Sequence, residues 1–217
     1  MDDCDCCKPP SAASLMKSST QPAHQHGDTK SAPQLRSLFN GKTLENWKVV
    51  EYAGAGDVTV QDGNILFATG ERLTGIAYTG DMPTTNYEIS LKARKLEGSD
   101  FFAGITFPID KSFATFVLGG WGGSLCGVSS IDGDDAAHND FKTFQRFDNN
   151  VWYNVRLRVT TDKLQAWLDK EQILDIDTRG KKFDIRADVD DSKPMGIAAF
   201  QTKSEIKDIT LTKIEGK

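Results

Sequence analysis

Between Tyr87 and Leu96 the chain reads YEISLKARKL, a strand whose apolar and polar residues alternate cleanly. Tyr87, Ile89, Leu91 and Ala93 fall on one side of an extended backbone; Glu88, Ser90, Lys92 and Arg94 fall on the other. A period of two belongs to a strand, whose successive side chains leave opposite faces. A helix would spread the same residues around its whole circumference. The pattern asks for a sheet with one face buried and the other in water. It returns in WYNVRLRVT, where Tyr153, Val155, Leu157 and Val159 alternate with Asn154, Arg156 and Arg158. In DFFAGITFPI it predicts Phe101, Ala103, Ile105 and Phe107 on one face, with Asp100, Phe102, Gly104 and Thr106 opposite.

Turn signals separate these runs. VTVQDGNILFA reads as a hairpin turning at Asp62-Gly63 or Gly63-Asn64, and KLQAWLDKEQILDID as one turning near Asp169-Lys170. FATFVLGGW, PMGIAAFQT and IKDITLTKI add further strands. LFNGKTLENWKVV sets Phe39, Leu44 and Trp47 as apolar anchors around the turn dipeptide Asn40-Gly41. Trp152 and Trp167 read as core or core-edge rings, and Cys126 as a buried thiol. Helical periodicity is confined to one short turn at most. Many short strands with regular turns predict an all-β jelly-roll sandwich, and no internal repeat suggests a propeller or solenoid.

The sandwich is expected over residues 36–217, behind a tail over residues 1–35. The tail segment SAASLMKSSTQPAHQHGDTKSAPQ is polar and aperiodic, too poor in apolar surface to offset its ordering entropy. Cys4, Cys6 and Cys7 crowd its start among acidic neighbours and lack a fourth ligand for a closed zinc site. His24 and His26 form a weak pair there. Acidic residues outnumber basic ones 31 to 26, and no Lys/Arg cluster is dense enough to grip phosphates, which argues against nucleic acid as a partner. No run approaches the ~18 apolar residues of a membrane span. The first residues lack the basic patch and apolar core of a signal peptide.

Several chemistries are excluded by pattern. P-loop and dinucleotide-binding glycine motifs, the G-x-S-x-G elbow and H-E-x-x-H are all missing. His138 is the only histidine of the expected domain, so a site of several histidines is excluded. The paired carboxylates that jelly-roll glucanases carry on one strand, where one attacks while the other protonates the leaving oxygen, are also missing.

Five stretches carry a resemblance: LFNGKTLENWKVV, YEISLKARKLEGSDFFAGITFP, FVLGGWGGSLCGVSSIDG, WYNVRLRVTTDKLQAWLDKEQILDIDT and PMGIAAFQTKSEIKDITLTKI. Together they resemble the 3-keto-disaccharide hydrolase domain family over roughly Leu38 to Ile214, the opening L-F-N-G-K-x-L-x-x-W being the most specific piece. The resemblance implies a concanavalin A-like jelly roll, an exported bacterial protein and a carbohydrate partner. It also implies a chemistry. A ketone at C3 of a sugar acidifies the C2 hydrogen; a base removes it, the enolate expels the group on C1, and water then adds. That sequence needs a base, an electrophile for the enolate oxygen and an acid for the leaving group. A divalent cation, Ca²⁺ or Mn²⁺, could be the electrophile. The competing expectations are a non-catalytic, lectin-like module and a bare interaction domain, because fold alone does not fix function.

The stretch Gly119–Asp140, GGWGGSLCGVSSIDGDDAAHND, concentrates the candidate residues. Trp121, between glycine pairs, is a candidate to stack on a sugar face; the alternative is a core ring after a bulge. Asp132, Asp134 and Asp135 are candidate cation ligands, although Gly133 breaks the calcium-loop pattern and no Glu closes it. Asp132, Asp135, His138 and Asp100 are the candidate catalytic groups, His138 because its proton leaves near neutral pH. Asn139, Arg146 and Gln201 complete the expected substrate contacts.

Overall fold

The computed structural model describes residues 34–215. The expected tail, with its cysteines and the His24/His26 pair, lies outside the described residues except for its last two positions. Those two, Gln34 and Leu35, already belong to the first strand. In chain order the strands are β1 (Gln34–Ser37), β2 (Trp47–Val49), β3 (Val58–Gln61), β4 (Asn64–Phe67), β5 (Leu73–Tyr78), β6 (Tyr87–Gly98), β7 (Ala103–Ile109) and β8 (Ser112–Gly119). They continue as β9 (Leu125–Ser129), β10 (Lys142–Phe144), β11 (Tyr153–Val159), β12 (Lys163–Leu168), β13 (Glu171–Asp177), β14 (Met195–Phe200) and β15 (Thr202–Lys213). A 3₁₀ turn, Ala187–Ser192, lies between β13 and β14.

The strands form two antiparallel sheets of a jelly-roll sandwich. One runs β13-β12-β11-β6-β15-β4-β3, with β1 added on β15; the other runs β10-β9-β8-β7-β14-β5-β2. The core lies between them. Tyr87, Ile89, Leu91 and Ala93 of β6 and Val155, Leu157 and Val159 of β11 face Ile105, Phe107, Phe116 and Ile197 of the other sheet in one apolar cluster. The hairpins turn where the sequence predicts: Asp62 and Gly63 both take positive φ, 50° and 79°, and Asp169 takes 53°. Trp47 is buried and its indole N–H donates to the Leu38 carbonyl, tying the start of the domain to the core.

Three expectations need correction. The alternation predicted through DFFAGITFPI slips at its start: Phe102 belongs to the central core, whereas Phe101 packs on the outer side of the seven-stranded sheet with Phe200. The reason is a bend at Phe101-Phe102, where the Phe101 carbonyl accepts from the Phe200 amide and the Phe102 amide donates to Leu118. Asp100 accordingly precedes β7 instead of opening it. Trp152 and Trp167 lie on the outer face of the eight-stranded sheet, half-buried under cations: the Arg156 guanidinium stands 3.8 Å from the Trp167 ring centre, and Lys207 4.2 Å from that of Trp152. Arg156 and Arg158 both pair with Glu88 across the strands of that face.

Candidate functional site: a cavity on the outer face of the seven-stranded sheet

The middle of the seven-stranded sheet carries small residues on its outer side: Gly75, Gly104, Gly196 and Ala198. Their smallness lets other chain segments lie directly on the strands. A Cβ on Gly196 would stand 2.6 Å from the Cβ of Ser192, so the 3₁₀ turn rests on the sheet itself. Val189 of that turn packs with Leu73 and Ala198, and the Tyr52 hydroxyl meets Ser192 Oγ at 2.5 Å. Burial holds the Tyr52 phenol above its usual range, only partly offset by the Ser192 hydrogen bond.

Beside this turn lies a cavity of about 230 Å³. Its floor is Thr115 and Val117 of β8 with Ser129 of β9; Phe101 and Phe200, rings 5.8 Å apart and nearly parallel, form an apolar wall. Arg72, Arg186 and Asp188 line one rim, Asp100 and Trp121 the other. Asp188 is held between Arg186, 3.3 Å from its Nε, and Arg72 at 3.6 Å. The Asp100 carboxylate accepts from the Phe101 amide at 2.8 Å and sits 3.5 Å from the Gly122 amide; among the described residues it has no cationic partner.

Trp121 owes its position to the glycines around it. Gly119, Gly122 and Gly123 have φ of 75°, 91° and 99°, and Trp121 itself sits at φ 49°, ψ 55°. This left-handed run is a tight loop between β8 and β9. It leaves Trp121 42% exposed over the cavity, not in the core.

Of the residues the sequence singles out, Asp100 and Trp121 line this cavity. The others stand apart from it. Asp132 faces a different cavity at one end of the sandwich, where its carboxylate accepts from the Lys182 amide at 2.8 Å and lies 3.8 Å from Lys181. Asp135 accepts from the Ala137 amide and from His138 Nδ1 at 2.7 Å. Partial burial pushes its carboxyl up, but the hydrogen bonds from His138 and Ala137 outweigh that and hold it below the usual range. Asp134 is exposed. Asn139 is buried and structural, its amide donating to the carbonyls of Val128 and Asp135 and accepting from Phe141. Arg146 pairs with Asp148. Gln201 forms the corner between β14 and β15 and donates to the Glu71 carbonyl at 2.8 Å. No three His, Cys, Asp or Glu side chains converge as a metal set among the described residues; Asp132 and Asp135 take separate partners and Asp134 faces outward. Arg186 and Asp188 escape the sequence reading because RADVDDSKP is just a polar segment between strands, without period or motif, and Arg72 because it stands in the short polar link GER before β5.

The two antiparallel sheets thus form a jelly roll that carries a small, mostly apolar cavity on the outer face of one sheet. Residues 34–212 match the family described as the 3-keto-alpha-glucoside-1,2-lyase-like domain, and the chain belongs to that family. No curated protein matches the sequence. Among solved structures the fold is similar to a candidate glycosyl hydrolase from Parabacteroides distasonis, with 15% identity, a TM-score of 0.54, and 83% of this chain and 94% of that one covered. It is also similar to the Crh5 transglycosylase in complex with NAG, with 11% identity, a TM-score of 0.57, and 86% and 85% covered. A third is the VIP36 exoplasmic/lumenal domain in its Ca²⁺/Man3GlcNAc-bound form, with 11% identity, a TM-score of 0.58, and 83% and 89% covered. At these identities the likeness is one of fold. No helix among the described residues is long and apolar enough to cross a membrane.

Proposed function

We propose that the protein cleaves 3-keto-glycosides by elimination at C1–C2 followed by hydration, with the cavity under Trp121 holding the oxidised ring. The observation that carries this reading is the juxtaposition of one carboxylate without a cationic partner among the described residues, Asp100, with two guanidinium groups, Arg72 and Arg186, around a cavity with an apolar wall. The Phe101 and Phe200 rings and Trp121 suit the C–H faces of a pyranose. Asp100 takes the C2 proton. The electron pair of that C–H bond moves into the ring as the enolate, and Arg72 or Arg186 stabilises the charge growing on the C3 oxygen. The enolate then expels the C1 substituent, whose oxygen takes a proton from water. The hydroxide so formed adds to C1 of the resulting enone and Asp100 returns its proton to C2, which completes a net hydrolysis. Asp188 is the positioning group, since its carboxylate holds both guanidiniums at the rim.

The family description names a lyase acting at positions 1 and 2, which supports elimination over direct displacement. An exported setting belongs to the same proposal, and fractionation of expressing cells tests it. The VIP36 neighbour is a Ca²⁺-bound form, so Ca²⁺ and Mn²⁺ are added to the assay with a chelator control; the steps above route nothing through a cation.

The test is turnover of 3-keto-disaccharides and of their unoxidised parents. Cleavage of the keto forms alone, lost in Asp100→Asn, is the expected result. A wild-type protein that binds these sugars without turning over either set would overturn the reading in favour of a lectin-like module.

A further inference from the structure

The register of β6 contains an anomaly. The core-facing positions run Tyr87, Ile89, Leu91, Ala93, and the next is Lys95. The lysine obeys the strand period, not its own polarity, and is only 9% exposed. Its ammonium makes no hydrogen bond or ion pair among the described residues. Its direct neighbour across the β6–β15 ladder is Ser204, whose hydroxyl is fully buried and also has no partner. Two polar side chains without partners among the described residues thus occupy adjacent positions of the inward face, the lysine buried along its stem and the serine hydroxyl enclosed. A cation held at the edge of an apolar core is costly unless it is neutralised or hydrogen-bonded.

Lys95 is not sealed in. It lines a cavity of about 400 Å³ with Ser99, Gly122, Ser124, Phe144 and Arg146. The titratable side chains lining that cavity are Lys95 and Arg146; it has no Asp or Glu. Phe144, on the edge strand β10, is 67% exposed there. This cavity and the one described above share a wall. Trp121 lines the first and Gly122 the second; Asp100 lines the first and Ser99 the second. The two loops meet where Asp100 approaches the Gly122 amide. A Cβ on Gly122 would meet nothing within 4 Å, so the backbone at this ridge lies open to a ligand passing over it.

Building on the keto-glycoside reading, we propose that the second cavity is the leaving-group subsite and that it selects an anionic sugar through Lys95. The oxidised ring lies under Trp121, the glycosidic bond crosses the Asp100–Gly122 ridge, and the leaving sugar lies against Phe144 with its acidic group on the Lys95 ammonium. This arrangement puts the base of the reaction beside the bond that breaks. It also gives the Lys95 ammonium a counter-charge that no described residue lining the cavity supplies.

The experiment compares 3-keto-glucosides whose leaving sugar is glucose, gluconate or glucose 6-phosphate, in the wild type, Lys95→Met and Lys95→Arg. The wild type is expected to show a KM at least about tenfold lower for an acidic leaving sugar than for glucose, the scale of one charge-assisted hydrogen bond. In K95M that ratio should collapse towards one, and K95R, which keeps the charge, should retain part of it. Gluconate and glucose 6-phosphate distinguish carboxylate from phosphate recognition, and a response in either arm supports the subsite. Equal KM for all three sugars in the wild type, or a preference that survives in K95M, would overturn it. The function and the subsite fail separately. If nothing is turned over, calorimetric binding of gluconate and glucose 6-phosphate to the wild type and K95M still decides the subsite: Lys95-dependent binding upholds it, and no binding overturns it.

Discussion

Asp100 and Trp121 show how far single residues can be read. Asp100→Asn keeps the hydrogen bond to the Phe101 amide but removes the base, so turnover of keto-glycosides should fall by about 10²–10⁴ with the melting temperature nearly unchanged. Trp121 separates binding from stability in the opposite way. Its left-handed backbone is one a glycine adopts freely and an L-side chain adopts at a cost. Trp121→Gly should therefore hold or raise stability by up to about 1 kcal/mol in urea unfolding, while sugar affinity falls. Loss of stability in that variant would show that the ring packs and does not wait for a ligand. Both residues could be found in the sequence because they stand out from their surroundings: a tryptophan between glycine pairs, and an aspartate at the polar start of a strand pattern. Arg72, Arg186 and Asp188 could not, because a guanidinium at a cavity rim has the same sequence appearance as one in open solvent. Lys95 was legible in principle. It is the position where the period of β6 continues and the chemistry does not, a conflict passed over when the faces of YEISLKARKL are assigned only as far as Arg94.

At the scale of elements, the outer face of the seven-stranded sheet depends on absent side chains. Gly196→Ala would drive a methyl group against Ser192, so the 3₁₀ turn must lift. The expected cost is about 1–3 kcal/mol of stability. Arg186 and Asp188, at the start of that turn, should move with it, and keto-glycoside affinity should drop although the altered residue lines no part of the cavity. A variant with native affinity would mean that the turn adjusts without carrying the rim. The hairpins were legible because turn chemistry is local: Asp62-Gly63 states its own φ values. The face assignment at Phe101 and Phe102 was not, because the bend that exchanges them is fixed by hydrogen bonds to Phe200 and Leu118, partners remote in sequence. The acidic loop illustrates the same limit. Aspartates clustered in sequence suggest a shared ligand, yet Asp132 accepts from the Lys182 amide while Asp135 takes Ala137 and His138.

For the molecule as a whole, three buried acids set its response to alkali. Burial pushes the Cys126 thiol up to about 11, against a weaker opposing hydrogen bond at Gly119, and raises the phenols of Tyr52 and Tyr87. Each folded-state value lies above its unfolded one. Their contribution to stability is therefore complete below about pH 8.5, where an unfolded thiol begins to ionise, and is lost as the pH rises towards the folded values. Melting temperatures should be level near neutrality and fall steadily above about pH 9. In the native protein the Cys126 peptide should resist alkylation at pH 8 and react once urea unfolds the chain, as mass spectrometry of that peptide would show. The strand order has a different consequence, for the chain during synthesis. β14 stands between β7 and β5, and β15 between β6 and β4, so the two strands last in the chain complete the interior of both sheets. Until residues 195–213 emerge from the ribosome, each sheet exists only as two separate halves with open edges. The domain must therefore stay unfinished, with apolar edges exposed to aggregation, until those residues arrive.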